Sequence, residues 1–174
     1  MITLVLGGAR SGKSAVAERL VTALVGDDDD VTYVATAVVD PSDADFASRI
    51  AEHRARRPPT WTTVESGPDL PGVLAGLDGP VLVDSLGTWV AGCGHDGSAA
   101  APVDATALCD ALLTRHGPTV VVSEEVGMGV HPSTEAGRRF RDTLGTVNAA
   151  VADVAGDVWL VVAGRLLPLA RAES

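Results

Sequence analysis

Lysine is nearly missing from this chain. Of thirteen basic residues in 174, one is a lysine, Lys13, and the other twelve are arginines. A composition so poor in lysine keeps one where arginine will not serve, and a compact ammonium does something a broad, planar guanidinium does poorly. Aromatic residues make up 3% of the chain against 46% hydrophobic residues overall, so the core has to be built from Val, Leu and Ala. The two cysteines, Cys93 and Cys109, show neither metal-ligand spacing nor a paired framework, which points to a reducing interior. Positive charge is scarce throughout: the formal net charge of −10 excludes a general nucleic-acid binder. Long apolar runs are also missing, so no membrane span is expected. Strand-like residues begin at Ile2, where a signal peptide would have its charged region. These absences predict a cytoplasmic, soluble protein, with residues 1–174 forming a single domain able to bury most of its apolar surface.

What is present centres on that one lysine. It lies in Gly7-Gly8-Ala9-Arg10-Ser11-Gly12-Lys13-Ser14, which fits G-x-x-x-x-G-K-S. The pattern follows an apolar run, Ile2–Leu6, and leads into the helix-like Ala15–Leu20. That strand–loop–helix setting separates a P-loop from a chance glycine-rich turn. Backbone amides of the loop and the helix N-terminus bind phosphate oxygens, Lys13 fits between the β- and γ-phosphates, and Ser14 holds Mg²⁺. The motif predicts binding of a nucleoside triphosphate.

Short apolar, β-branched runs recur at Ile2–Leu6, Val31–Thr36, Trp61–Glu65, Val81–Asp84, Thr119–Ser123 and Val158–Ala163. Several are apolar on both faces, as strands of a buried parallel sheet are. Between them, 14–25 puts Val16, Leu20 and Leu24 on one face, 103–115 is Ala/Leu-rich, and 134–155 carries a stripe of Phe140, Leu144, Val147, Val151 and Val154. Alternating strands and helices predict an α/β layered fold with a mainly parallel sheet. Asp27–Asp30 reads as a solvated acidic turn and 91–102 as a mobile loop or an insertion.

Three further places carry candidate chemistry. Val81-Leu82-Val83-Asp84 is an apolar strand ending in a carboxylate, the place from which P-loop proteins hold magnesium; Ser85 and Thr88 follow in the loop. Arg49, Arg54, Arg56 and Arg57 crowd around His53 within nine positions of a strongly acidic chain. They form either a basic helix end facing its own dipole or a triphosphate-neutralising set around a neutral, nucleophilic His53. Glu124 and Glu125 end another apolar strand ahead of Gly127 and Gly129, as ligand contacts or as a plain glycine turn. Asn148 either hydrogen-bonds within the site wall or faces solvent. His95, His116 and His131 are scattered among loop residues and are given no role.

These segments, taken in order, resemble a known family. The P-loop, Tyr33-Val34-Ala35-Thr36-Ala37, Arg49-Ile50…His53-Arg54…Arg57-Pro58…Trp61…Thr63…Glu65, the strand ending at Asp84, Glu125-Val126-Gly127-Met128-Gly129-Val130…Pro132, Phe140-Arg141-Asp142…Gly145…Asn148 and Val161-Val162-Ala163-Gly164 are similar to the bifunctional adenosylcobinamide kinase/adenosylcobinamide-phosphate guanylyltransferases of cobalamin biosynthesis. The resemblance implies a P-loop NTPase (RecA-like) three-layer α/β fold with a mainly parallel central sheet, assembled as a homotrimer. It implies phosphorylation of adenosylcobinamide by ATP or GTP, then transfer of GMP from GTP to the product through a guanylylated histidine, matched by His53. By the same match Gly7, Gly8, Ala9, Arg10, Ser11, Gly12, Lys13, Ser14, Ala35, Thr36, Ala37, Arg54, Ala55, Arg56, Arg57, Glu65 and Asp84 line the nucleotide site. Lys13 joins His53 in catalysis, and Ser14 and Asp84 hold Mg²⁺. Glu124 departs from the pattern, standing where many relatives carry asparagine. The competing expectations are a small-molecule kinase of other specificity with a structural His53, and a nucleotide-dependent switch, which the missing N-K-x-D-type guanine motif disfavours.

Overall fold

The computed structural model describes residues 1–26, 30–37, 57–93 and 102–172. Their order is β1 (Ile2–Gly7), α1 (Lys13–Val25), β2 (Thr32–Ala35), β3 (Thr62–Glu65), α2 (Leu70–Ala75), β4 (Val81–Asp84), α3 (Leu86–Gly92), α4 (Ala105–Thr114), β5 (Thr119–Glu124), α5 (Glu135–Val154), β6 (Asp157–Val162) and β7 (Arg165–Pro168). The strands form one seven-stranded sheet in the order β3-β2-β4-β5-β1-β6-β7. The first six run parallel and β7 pairs antiparallel with β6.

The alternation of side chains along each strand builds two cores, one on each face. Val5, Leu82, Val120 and Val122 face α1, where Val16, Ala17 and Val21 cover them. Leu4, Leu6, Val83 and Val121 face the other way, against Leu70, Leu74, Trp89, Leu108, Leu112, Leu144, Val147 and Val151 of α2–α5. Each buried valine or leucine stabilises the fold by about 1.5–3 kcal/mol, so few aromatics are needed. The result is the expected helix–sheet–helix layering of a P-loop fold.

Caps explain where the helices begin. Asp69, Asp104 and Thr134 each accept a hydrogen bond from a first-turn amide, and Ser85 and Thr88 form a reciprocal capping box at α3. Three expectations change. Leu24 is 41% exposed, because positions 16, 20 and 24 drift about 80° around a 3.6-residue helix; the buried stripe follows Val16, Ala17 and Val21 instead. The chain after β6 does not run on through Ala163, but turns there into β7. Of the loop expected over 91–102, Ala91 and Gly92 finish α3, and 94–101 lie outside the described residues.

Candidate active site

The parallel register brings the C-terminal ends of β1, β2, β4 and β5 to one edge, where open α/β sheets bind ligands. Gly7 pairs with Glu124, Ala35 with both Asp84 and Glu65, and Asp84 with Val122, so Glu124 reaches two residues past Asp84 along the sheet.

Between β1 and α1 the P-loop takes a conformation its residue types require. A Cβ at Gly7 would lie 2.9 Å from the Val161 carbonyl, a backbone atom with little freedom to yield. Gly12 has φ +90, in the left-handed region where glycine carries no penalty, and Arg10 is also left-handed at φ 55. Ser11 N–H donates to the Gly8 carbonyl at 3.3 Å, which closes the turn. Gly12 caps α1 with no side-chain acceptor, so the first-turn amides meet no protein carboxylate or hydroxyl at that cap. Ser11 Oγ is the single buried side-chain polar atom among the described residues that has no hydrogen-bond partner.

Lys13 Nζ lies 3.4 Å from Glu124 Oε1 and 3.4 Å from the Gly8 carbonyl it donates to. The lysine side chain is 12% exposed and that of Glu124 27%. Both oxygens of Glu124 accept from Ser85 Oγ at 3.0 Å. Ser85 is in turn locked: its N–H donates to Thr36 Oγ1 at 2.9 Å, its carbonyl accepts from Thr36 Oγ1 at 2.6 Å, and Thr36 Oγ1 meets Thr88 Oγ1 at 2.5 Å. Asn148 holds the other side of Glu124. Its Nδ2 donates to the Glu124 carbonyl at 3.0 Å and its Oδ1 accepts from Ser123 Oγ at 2.6 Å. Of the two expectations for Asn148, the hydrogen-bonded wall residue is the one found.

Asp84 Oδ2 accepts from the Tyr33 hydroxyl at 3.0 Å, and the Arg57 guanidinium lies 3.6 Å from the centroid of the Tyr33 ring. Burial, then the Asp84 charge, pushes the Tyr33 phenol well above its usual range, with Arg57 opposing, so Tyr33 stays a neutral donor. Arg57 also donates to Thr63 Oγ1 at 3.1 Å. A cavity of about 770 Å³ opens beside α1, lined by Ala15, Glu18, Arg19, Arg57, Pro58 and Trp61 among others.

Of the residues singled out by sequence, Gly7 to Ser14, Ala35, Thr36, Ala37 and Asp84 therefore gather at one sheet edge. Glu65 ends β3 at the same edge, but four strands from β1, about 19 Å at 4.8 Å per strand. His53, Arg54, Ala55 and Arg56 lie outside the described residues. Glu125 sorts the other way from Glu124: its Oε1 accepts from the Gly127 and Met128 amides at 2.5 and 3.1 Å, so it holds the glycine turn. Tyr33 as the partner of Asp84, and the Ser85–Thr88–Thr36 lock behind Glu124, were not foreseen. The Ser85-x-x-Thr88 spacing, a variant of the capping box, was the available signal for the second.

The tip of the β6–β7 hairpin closes the floor of the loop. Val162 pairs with Arg165, leaving Ala163 and Gly164 as a two-residue turn with φ 50 and 73, the type I′ geometry. Gly164 N–H donates to the Ser11 carbonyl at 2.8 Å.

Residues 3–169 match the family described as cobinamide kinase / cobinamide phosphate guanyltransferase. The chain is 39% identical to the bifunctional adenosylcobalamin biosynthesis protein CobP of Pseudomonas aeruginosa, with 97% of each chain covered. It is 36% identical to the protein CobU of Escherichia coli, covering 94% of this chain and 97% of that one. Among solved structures, the flagellar accessory protein FlaH from Methanocaldococcus jannaschii superposes with a TM-score of 0.50 at 13% identity. That superposition covers 95% of this chain and 74% of FlaH, and shows a shared fold.

Proposed function

The chain belongs to the cobinamide kinase / cobinamide phosphate guanyltransferase family, and from that premise we propose that it carries both activities. It phosphorylates the aminopropanol hydroxyl of adenosylcobinamide with a nucleoside triphosphate, then transfers GMP from GTP to the phosphate, giving adenosyl-GDP-cobinamide and pyrophosphate. The observation that carries this reading is the phosphate cradle of Gly7–Ser14 opening on the sheet edge that also holds Asp84 and Glu124.

In the first reaction the loop amides and Lys13 grip the triphosphate and balance the charge that develops on the transferred group, which is most of what phosphoryl transfer asks of a protein. The unpartnered Ser11 hydroxyl supports a polar occupant of the loop. The open cavity beside α1 begins at Ala15, next to the loop, and has Arg57 in its wall. Ser14 and Asp84 offer the hard oxygen donors that suit Mg²⁺. Bound there, Mg²⁺ would neutralise β- and γ-phosphate charge.

In the second reaction the His53 imidazole attacks the α-phosphorus of GTP and pyrophosphate leaves. The corrinoid phosphate then attacks the same phosphorus and frees the histidine. Covalent relay of this kind divides one hard displacement into two easier ones. Arg54, Arg56 and Arg57 would steady the triphosphate and keep the imidazole unprotonated. We further propose a single-domain subunit, a homotrimer and a cytoplasmic setting. Among the described residues no helix is long and apolar enough to cross a membrane.

Incubation with α-labelled GTP and Mg²⁺ tests the reading. Wild-type protein should acquire an acid-labile GMP label and His53→Ala should not. No label on wild type, or a label that persists in His53→Ala, overturns the guanylyl role and leaves a kinase alone.

A further inference from the structure

We propose that Glu124 is the group that accepts the proton of the acceptor hydroxyl during phosphorylation. The inference rests on the kinase reading above and extends it to a residue that no motif assigns.

Glu124 has the position such a group needs. Its carboxylate stands 3.4 Å from Lys13 Nζ, the ammonium that would grip the γ-phosphate. A hydroxyl oxygen hydrogen-bonded to a base at about 2.6–3.2 Å and about 3–3.5 Å from phosphorus is then held at the transferred group. The side chain keeps 27% of its surface open, so a substrate can reach it, whereas Lys13 beneath is 12% open.

It is also held as a working group is held. Ser85 Oγ donates to both carboxylate oxygens, and buried Thr36 fixes Ser85 through its amide and carbonyl. Asn148 pins the Glu124 backbone from the opposite side. Space is reserved for it: a Cβ at position 87 would overlap Glu124 Oε2, so Gly87 on α3 is what lets the carboxylate lie there. A surface glutamate that merely paired with Lys13 would need neither the bifurcated donation from a buried serine nor a glycine facing it.

The step balances. The acceptor O–H bond breaks as its oxygen bonds to the γ-phosphorus. The bond from that phosphorus to the bridging oxygen breaks, its electron pair leaves with the nucleoside diphosphate, and the proton goes to Glu124. The second reaction asks nothing of this group, because the attacking phosphate is already ionised.

The test measures three quantities on Glu124→Gln: phosphorylation of adenosylcobinamide, GMP transfer to supplied adenosylcobinamide phosphate, and nucleotide affinity. Phosphorylation should fall by about 10²–10⁴-fold, while GMP transfer and affinity change far less. Gly87→Ala, which displaces the carboxylate without deleting it, should lower phosphorylation in the same direction while the protein melts no lower than wild type. Glu124→Gln phosphorylating within threefold of wild type overturns the assignment. So does an equal loss of both reactions, which marks Glu124 as a lysine-positioning or structural group. If wild type transfers no phosphate to adenosylcobinamide, the kinase reading falls and the assignment with it; wild-type activity beside an active variant sinks the assignment alone.

Discussion

Tyr33 donates its phenolic hydrogen to Asp84 across the pair of strands β2 and β4, at 3.0 Å. The bond orients the one carboxylate that ends β4, and it leaves Asp84 on the α1 face of the sheet, where Tyr33 is packed. A hydrogen bond to a charged group contributes about 1.5–3 kcal/mol. Tyr33→Phe should therefore lower the melting temperature by several degrees, at about 2–4 °C per kcal/mol for a chain of this size. It should also raise the Mg²⁺ concentration that half-saturates phosphorylation, which a metal titration reads. The pH dependence has a definite sign. Below about pH 10, the ordinary tyrosine value, folded and unfolded chains both keep the proton and Tyr33 adds no slope. Above it the unfolded chain ionises first, because the folded phenol is pushed upward, so wild-type stability falls with rising pH. Denaturant melts from pH 9 to 11 should show that fall shallower in Tyr33→Phe.

Lys13→Ala removes the ammonium beside Glu124 and with it the charge set against the phosphates. Phosphorylation should drop by at least about 10²–10³-fold, the scale on which a developing-charge contact is lost. Nucleotide binding should weaken too, since the Glu124 carboxylate is then left beside the loop without the ammonium that pairs with it. Turnover within tenfold of wild type would contradict the assignment.

Asn148 is buried and bonded on both sides of its amide, to Ser123 and to the Glu124 carbonyl. Asn148→Leu leaves the Ser123 hydroxyl and the Glu124 carbonyl without that partner, at about 1–3 kcal/mol for each buried group left unsatisfied. A calorimetric melt should show a loss of several degrees. Phosphorylation measured well below that melt should fall as well, because the strand end carrying Glu124 is no longer fixed.

Ala163 occupies a left-handed position, φ 50, in a type I′ turn that favours Asn-Gly. Left-handed backbone costs an alanine about 1–2 kcal/mol. Ala163→Asn should recover part of that, raising the melting temperature by a few degrees with the hairpin otherwise unchanged. An unchanged or lower melt would show that the turn is not limited by this residue.

Much of this was legible in the chain. The inner parallel strands were readable because burial on both faces makes them nearly unbroken apolar runs, as in Val81–Val83 and Val120–Val122, whereas the exposed edge strand Thr62–Glu65 was readable from its β-branched residues. The P-loop was readable because its glycines, lysine and serine serve the backbone and the phosphate directly. The seventh strand was not, since Arg165–Pro168 is short and exposed and its turn uses alanine, a weak signal for I′ geometry. Helices α2 and α3 are six and seven residues long, too short for a 3.6-residue period to stand out. The meeting of Lys13 with Glu124 depends on β5 lying next to β1, and strand order is a long-range property that no local pattern carries. Tyr33 with Asp84 hides for the same reason: the two are 51 positions apart.

Gly164 ties the carbonyl of Ser11 to the far margin of the sheet. The loop of Gly7–Ser14 is thus tensioned from behind, like a string stopped at the bridge rather than at the finger. Variation in a bend some 150 positions downstream would retune how firmly this loop holds its shape, with every residue of Gly7–Ser14 intact.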